Sequence, residues 1–357
     1  MSNSSFGTSL EIITNIGQNL LFVSEVKEGG YELSSYVKSY DVEEKDKLDV
    51  KHFDEAITKI SLATQEKNWF AIAKKDVVQL YKVIPETGKL TMMTEFQADF
   101  DSENPHVNTV EFLYENKQVI TGGNDTILRV WSLNIDKKKD LVTDVKEFKK
   151  YKSHTTPIAH IDVTFDHELV ASIGSGDDKQ CLIHDFATGN LLNELTFSEK
   201  TGQPNMSFQG CIFSPSRRYL YTLASEAGKK SYVTRWDAKS EDFKNLNTIK
   251  VADNYCPHFT MSSDGFYLAI GSETGFIKSL NTRYMQIDRD DQIHPGKMEC
   301  VEFSNDTRFV LTCDKEGTYC FVPNMRAPGL MRAFFQYLML AFFAYFIYRS
   351  IMESFFE

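Results

Sequence analysis

Motifs for covalent chemistry are missing from this sequence of 357 residues. No Gly-x-x-x-x-Gly-Lys-Ser/Thr phosphate loop, Gly-x-Ser-x-Gly nucleophile turn or His-Glu-x-x-His zinc motif occurs. The six cysteines stand singly and form no Cys-x-x-Cys pair, which argues against a zinc or redox site. We therefore expect no catalytic residues and no enzymatic cofactor, and we expect buried free thiols in a reducing compartment.

An excess of positive charge is also missing. The 39 Lys and Arg residues are outnumbered by 50 Asp and Glu residues, which gives a net charge of −11. Because nucleic-acid binding needs basic side chains to neutralise phosphates, DNA and RNA are not expected partners and a transcription regulator is disfavoured. Two charge-rich stretches, Glu43–Lys51 and Asp136–Lys152, mix both signs, and we interpret them as solvated connections between structural units.

The sequence does contain a repeated β pattern, which is clearest in His106–Leu133. Alternating polar and apolar residues there form three short strand candidates, separated by turns rich in Asn, Asp and Gly. The second turn, Gly122–Asp125, precedes a strand candidate that contains Trp131 near its end. This arrangement is typical of one blade of a WD-type β-propeller.

The pattern recurs along the chain at a period of roughly 40–50 residues. The predicted units are Ser9–Glu44, Ala56–Leu90, His106–Leu133, His154–Leu192, Ser207–Ser240, Asn254–Arg283 and His294–Asn324. Each unit can bury its faces only against its neighbours, so the array must close into a ring. We predict an all-β, seven-bladed propeller over residues 1–324; an open β-sandwich or two smaller all-β domains are the alternatives.

Histidines and aspartates recur at matching places in these units. Histidines open three of them, at His106, His154 and His294. Aspartates occupy turn or strand-end positions at Asp125, Asp185 and Asp237. Because the same types return at the same point of a repeat, we predict hydrogen bonds within blades for the histidines and turn bracing for the aspartates, rather than catalysis or metal binding.

The first unit departs from the pattern. Its second strand is predicted at Leu20–Val23 and its third at Tyr36–Val42, which leaves a long connection, Ser24–Ser35. Hairpin connections usually have two to five residues. A protruding segment with the apolar residues Tyr31 and Leu33 is suited to contact a partner, although a solvated variable loop is the alternative.

The C-terminal part contains a long apolar run. Ala333–Tyr348 has no charged residue, and the run reaches Met352 when Arg349 is included. Twenty helical residues span about 30 Å, enough for a bilayer core, and Arg349 can extend to the far interface. We predict a transmembrane helix over residues 333–352, in which Ala333, Phe334, Leu340, Phe343, Phe346 and Tyr348 contribute to the anchor. A buried terminal helix or a surface-lying one is the alternative.

The flanks of this run indicate an orientation. Arg326 and Arg332 precede it, whereas Arg349 is offset by Glu353 and Glu357. The positive-inside tendency therefore places the propeller in the cytosol, which agrees with the N-terminus, where no signal peptide is recognisable. The predicted arrangement is a single-pass protein with a short link at 325–332 and a lumenal tail at 353–357.

In this plan the chain resembles the guanine-nucleotide exchange factors that start COPII coat assembly, the prolactin regulatory element-binding protein family. The resemblance covers most of the chain and is clearest in Val119–Leu133 (VITGGNDTILRVWSL), Ser231–Asp237 (SYVTRWD) and Ser262–Gly275 (SSDGFYLAIGSETG). It implies exchange activity without covalent chemistry, a small COPII GTPase in its GDP-bound or nucleotide-free form as partner, and residence in the endoplasmic reticulum membrane. A membrane-anchored scaffold without exchange activity remains the alternative.

The resemblance also places the working loop in the first blade. Its implied exchange residues are Glu28, Tyr31, Glu32, Leu33, Ser34 and Ser35. Glu32 stands where the family has Gly, and Ser35 where the family has Asn. By the same resemblance, a potassium ion would be held on the backbone carbonyls of Ser24, Gly29 and Gly30.

Overall fold

The computed structural model of the protein describes residues 10–15, 18–27, 30–37, 47–63, 68–84, 89–113, 117–136, 138–152, 154–176, 178–197, 206–226, 229–304, 307–314 and 318–324, and for residues 10–50 it describes the backbone. These residues contain 27 strands and no helix. The strands form antiparallel sheets in which sheet order follows chain order. The predicted all-β class is therefore confirmed.

Six of the sheets have four strands each. The first contains β1 (Leu10–Asn15), β2 (Gln18–Lys27), β3 (Gly30–Val37) and β4 (Lys47–Phe53). The second contains β5 (Ile57–Leu62), β6 (Trp69–Lys74), β7 (Val77–Val83) and β8 (Leu90–Gln97). The third contains β9 (Val107–Phe112), β10 (Gln118–Gly123), β11 (Ile127–Asp136) and β12 (Leu141–Lys152).

The remaining sheets continue the pattern. The fourth contains β13 (Ile158–Val163), β14 (Leu169–Gly174), β15 (Gln180–Asp185) and β16 (Leu191–Thr196). The fifth contains β17 (Met206–Phe213), β18 (Tyr219–Glu226), β19 (Lys230–Asp237) and β20 (Asn245–Ala252). The sixth contains β21 (His258–Met261), β22 (Tyr267–Gly271), β23 (Phe276–Asn281) and β24 (Gln286–Gln292). A three-stranded sheet follows, with β25 (Met298–Phe303), β26 (Phe309–Asp314) and β27 (Tyr319–Pro323).

The first strands of the sheets contact one another in sequence. β1 contacts β5, β5 contacts β9, and the series continues through β13, β17 and β21 to β25, which contacts β1. This arrangement is a β-propeller with six complete four-stranded blades, in which the first strands line a central channel.

The hydrophobic core lies between adjacent blades rather than at one centre. One cluster joins the second and third blades through Trp69, Val110 and Trp131, and another joins the fourth and fifth through Ile183, Phe208 and Trp236. From the second blade onwards, second strands are almost entirely buried because both of their faces meet neighbouring blades; β14, for example, has no exposed residue. A side chain at Gly122 would approach the Cγ2 atom of Ile158 to 2.6 Å, so this blade contact requires a glycine.

The blades have two distinct ends. In each antiparallel blade the connection between the first and second strands lies at the same end as the connection between the third and fourth; we call this end the lower face. The connections between the second and third strands and between consecutive blades lie at the opposite end, the upper face. Because every blade follows the same order, all blades contribute the same kinds of turn to each face.

Both charge-rich stretches that we interpreted as connections contain fourth strands, so that interpretation is wrong. Glu43–Lys51 includes the start of β4, and Asp136–Lys152 includes all of β12. The fourth strand is the outermost strand of a blade and pairs on one edge only. Most of its side chains face solvent, as the exposed residues of β16 show, so charge does not oppose strand formation there.

The predicted membrane segment, 333–352, and its flanking residues 325–332 and 353–357 lie outside the described residues. Within the part of the chain that is described, no helix is long and apolar enough to cross a membrane. Of the six cysteines, five are buried and Cys320 is partly buried, and all six are free thiols.

Candidate functional site

Two of the recurrent histidines form buried hydrogen-bond networks within their blades, as predicted. The Nδ1 atom of His154 lies 2.9 Å from Asp178 Oδ2, and its Nε2 atom lies 3.0 Å from Ser172 Oγ. Burial opposes ionisation of Asp178, but the hydrogen bonds from His154 and from the backbone N–H of Gln180 lower its pKa. His294 similarly places Nε2 at 2.8 Å from Thr312 Oγ1. Each of these two histidines therefore stabilises its own blade.

His106 also bonds within its blade as predicted, and its partner Asn108 reaches the next blade. Its Nδ1 atom lies 2.9 Å from Asn108 Oδ1, and the Asn108 amide donates to the Ile158 carbonyl of the next blade at 2.9 Å. The three aspartates brace turns as predicted: Asp125 accepts from Ile127 N at 3.1 Å, Asp185 from Thr188 N at 2.6 Å, and Asp237 from Lys239 N at 3.0 Å.

The predicted exchange loop is a hairpin rather than a loop. β2 and β3 pair continuously from Leu20↔Val37 to Lys27↔Gly30, so only positions 28 and 29 separate the two strands. The predicted third strand, Tyr36–Val42, is therefore wrong; the strand begins at Gly30. Because this connection joins second and third strands, the hairpin end lies at the upper face.

The candidate exchange residues consequently lie on a strand. Tyr31, Glu32, Leu33, Ser34 and Ser35 belong to β3, whereas Glu28 lies outside the described residues. On its other side β3 pairs with β4, where Tyr31 is opposite Phe53. Phe53 is buried in a cluster with Ile57 of the second blade. The hairpin is therefore attached to a packed part of the propeller.

The proposed potassium ligands do not fit one ion in this hairpin. Ser24 is opposite Leu33, and Gly30 is opposite Lys27, so the two positions are three residue pairs apart. At a rise of about 3.4 Å per residue, the separation is about 10 Å. Oxygens that share a cation at distances of about 2.5 Å lie within about 5 Å of each other, and the larger potassium ion does not bridge the difference. Gly29 lies outside the described residues.

The central channel holds a group of titratable residues that the sequence analysis missed. Lys59 and His160 are the third residues of β5 and β13, and His258 is the first residue of β21. Glu111, Asp162 and Glu302 are the fifth residues of β9, β13 and β25. A β-bulge recurs near the start of β5, β13, β17 and β25. Because a bulge interrupts the alternation of faces, residues at the second, third and fifth positions all line the channel.

Contacts in the channel run from blade to blade. Lys59 Nζ lies 3.5 Å from Glu111 Oε1, and Ser61 Oγ donates to Glu111 Oε2 at 2.8 Å. The backbone N–H of Phe213 donates to Asp162 at 2.5 Å, and Thr260 Oγ1 donates to Glu302 at 3.1 Å. A cavity of about 200 Å³ adjoins these residues, and its lining includes Lys59, His160, His258 and Glu302.

Burial shifts the pKa values of these channel groups away from their ordinary values. It lowers the pKa of His160 to about 3 and that of His258 to about 4, and the Lys59 cation adds to both shifts. It raises the pKa of Asp162 to about 7 and that of Glu302 to about 7. Both histidines are therefore neutral at physiological pH. Such shifts often mark functional sites, but neighbouring blades also use these groups as structural contacts.

We predict that Glu302→Gln stabilises the protein most above pH 7. The folded-state pKa of Glu302 is raised from 4.5 to about 7, so the folded protein favours the protonated form and ionisation destabilises it. The amide keeps an acceptor for Thr260 and carries no charge. The gain is expected to be about 1–3 kcal/mol at pH 8 and to shrink as the pH falls from 7 towards 4.5.

Chemical unfolding at several pH values measures this gain. The exposed Glu103→Gln substitution is the control and should leave the curve unchanged. A gain for Glu302→Gln that is independent of pH would show that the ionisation of Glu302 does not oppose folding.

The upper face of the third blade presents a second ordered group. Arg129 is 1% exposed, binds the carboxylates of Asp125 and Asp101, and lies 3.4 Å from Glu147. Its guanidinium lies 4.6 Å from the ring centroid of Phe100, which is 46% exposed. Phe100 and Asp101 belong to the connection between β8 and β9. This connection is also held by Asp99, which accepts a hydrogen bond from His106 N at 2.8 Å. The only sequence signal for this group is the unusual density of carboxylates before His106.

Comparisons with known proteins agree with this fold. The family described as "WD domain, G-beta repeat" matches residues 95–132. The chain is 24% identical to the guanine nucleotide-exchange factor SEC12 of Rattus norvegicus over 53% of its length and 44% of that protein's. It is 30% identical to protein transport protein SEC13-2 of Candida glabrata over 28% of its length and 34% of that protein's.

A third relative is the serine-threonine kinase receptor-associated protein of Mus musculus. It is 25% identical over 59% of this chain and 53% of its own length. The chain therefore spans about half, or less, of the length of these curated relatives. Together, the sheet order and the match at 95–132 show that the chain is a WD-repeat β-propeller.

Proposed function

We propose that this protein is a membrane-anchored guanine-nucleotide exchange factor for the small GTPase that initiates COPII coat assembly. The observation that carries the proposal is the similarity to the rat exchange factor SEC12 over 202 residues. The placement of the β2–β3 hairpin at the upper face of the first blade supports it, since the exchange residues implied by the resemblance lie there. The activity promotes vesicle formation between the endoplasmic reticulum and the Golgi.

The propeller of this exchange factor comprises residues 1–324 and has seven blades. The contacts of β25 with both β21 and β1 support the three-stranded sheet β25–β27 as the seventh blade. Ring closure matters for exchange, since the blades of a closed propeller support one another and hold the hairpin on a rigid base.

Exchange of this kind is a matter of differential binding. A GTPase retains GDP through its phosphate loop and Mg²⁺, beside mobile switch segments. A partner that binds the nucleotide-free form more tightly than the GDP form shifts the population towards release. We assign this contact to the β2–β3 hairpin, with Tyr31, Glu32, Leu33, Ser34 and Ser35 as its residues. No step depends on a bound potassium ion.

The apolar run at 333–352 supports a membrane anchor. Its length suits the bilayer core of the endoplasmic reticulum, and the arginines before it favour a cytosolic propeller. Exchange at the membrane surface loads the GTPase with GTP at the site where the coat assembles.

Nucleotide release tests this function. The full chain in detergent micelles or vesicles should accelerate the loss of fluorescent GDP from the COPII GTPase by at least about tenfold, and should leave an unrelated small GTPase unaffected. If the protein bound the GTPase without accelerating GDP release, its function would be that of a membrane-anchored scaffold rather than an exchange factor. Absence of both would remove the GTPase as a partner.

A further inference from the structure

Exposed apolar side chains of the described residues concentrate on one side of the propeller. Ten large hydrophobic residues are exposed in this part of the chain. Eight lie at the lower face or at the lower ends of third and fourth strands: Ile84, Met92, Phe165, Leu191, Leu192, Leu246, Phe266 and Tyr284. Phe100 lies at the upper face, and Phe148 lies on the outer strand β12. Scattered exposed residues are ordinary, but such segregation indicates a contact surface.

Three aromatic rings project furthest from this face. Phe165, Phe266 and Tyr284 are 63%, 55% and 67% exposed, and all three lie in turns. These turns are ordered by hydrogen bonds: Asp264 Oδ1 accepts from Phe266 N at 3.0 Å, and Asn281 Oδ1 accepts from Tyr284 N at 3.3 Å. Thr282 Oγ1 donates to the Gly265 carbonyl at 2.8 Å and joins the last two turns. The turns that carry Phe266 and Tyr284 are therefore ordered.

The aromatic turns belong to one surface across the fourth, fifth and sixth blades. Arg217 binds Asp166 and Glu168 and so ties the turn of Phe165 to the fifth blade. The turn at Gly265 packs against Pro215, since a side chain on Gly265 would lie 2.9 Å from Pro215 Cδ. The surface thus combines aromatic tips with carboxylates that already have a cationic partner.

Further arginines lie beside the aromatic rings. The guanidinium of Arg218 lies 5.3 Å from the ring centroid of Tyr219, and that of Arg283 lies 5.5 Å from that of Tyr284. Both arginines are exposed. Aromatic and arginine side chains together suit the headgroup region of a bilayer, where rings lie at the apolar boundary and cations meet phosphates.

The chain leaves the propeller at the same face. After β27, Asn324 N donates to the Arg308 carbonyl at 2.6 Å, and the Asn324 amide donates to the Thr307 carbonyl at 2.9 Å. Thr307 and Arg308 belong to the connection between β25 and β26, which is a lower-face turn. Only positions 325–332 separate Asn324 from the apolar run, a span of at most about 28 Å.

We propose that the lower face lies against the lipid bilayer, with Phe165, Phe266 and Tyr284 at headgroup depth. The inference rests on the proposed membrane anchor and adds an orientation to it. A lipid surface is favoured over a protein partner, because the exit at Asn324 and the short link bring this face to the membrane. The β2–β3 hairpin then points away from the bilayer, towards a GTPase that approaches from the cytosol.

Depth-dependent quenching of a fluorophore tests this orientation. The full chain is reconstituted in phosphatidylcholine vesicles with about 20% phosphatidylserine and labelled at Phe266→Cys or Tyr284→Cys with an environment-sensitive dye. Quencher-bearing lipids should reduce the emission of both labels by about twofold or more. The matched control is Phe100→Cys, an exposed aromatic position on the upper face, whose emission should not change. The unsubstituted chain corrects for labelling of native cysteines.

Flotation of the vesicles separates the possible failures. If the protein floats and the lower-face labels are not quenched, the anchor stands and the orientation is wrong. Lower-face labels that are blue-shifted but inaccessible to lipid quenchers show that another occupant, a second copy or the C-terminal segment itself, covers this face. If the protein does not float, the anchor and the orientation both fail. GDP release in detergent is independent of all three results.

Discussion

Arg129→Met is expected to lower the free energy of unfolding by about 3–5 kcal/mol, because it leaves the buried carboxylate of Asp125 without its cation. Arg129 and the Asp125 side chain are each only 1% exposed, and Asp101 and Glu147 complete the group. Burial already raises the pKa of Asp125, against the opposing hydrogen bond from Arg129. Without the arginine, Asp125 must either take up a proton or remain buried as an unpaired anion.

A second substitution distinguishes charge from packing. Asp125→Asn combined with Arg129→Met removes both buried charges, and the double variant should recover a large part of the lost stability. Arg283→Met changes an exposed arginine and should stay within about 0.5 kcal/mol of the parent. Urea unfolding of the full chain in detergent reports the effect through Trp69, Trp131 and Trp236, which are all buried. If Arg129→Met alone were as stable as the parent, the ion pairs of Arg129 would contribute nothing to stability.

The parts of the fold that the sequence predicted well have local causes. The turn aspartates and the blade histidines occupy positions that depend on a few neighbouring residues, so their roles repeat with the pattern. Trp131 and Trp236 also share one arrangement, since each indole N–H donates to a threonine of the second strand, Thr121 and Thr222, at 2.9 Å. Repetition of a short motif was therefore enough to predict the propeller.

The parts that it did not predict lack such a local pattern. Fourth strands such as β12 carry charges because one edge and much of one face meet water, so they resemble connections. The β2–β3 hairpin is rich in Glu, Ser and Gly, which are turn or loop residues by composition, although the strands pair to their ends. In the first strands, bulges shift channel residues such as Asp162 and Glu302 out of simple alternation.

Shortening the β2–β3 hairpin is expected to reduce GDP release by the COPII GTPase about tenfold or more, with little change in stability. Glu25 and Glu32 are opposite each other in the register, so Val26–Tyr31 can be replaced by Asn-Gly while the pairs below remain. The change removes the upper end of the hairpin and the Tyr31 position opposite Phe53. If the hairpin separates the GTPase from its nucleotide, the part of the hairpin at the upper face is what the exchange requires.

The matched comparison keeps the hairpin at full length. Leu33→Ala removes one apolar side chain from β3 and should weaken GTPase binding by about 1–3 kcal/mol. Melting of both variants in the same detergent, with flotation on vesicles, controls for unfolding and for loss of the anchor. Undiminished release by the shortened variant would contradict the hairpin mechanism. The exchange residues would then have to be sought elsewhere on the upper face. Phe100, whose ring is supported by Arg129, is the first candidate there, and Phe100→Ala is the substitution to measure.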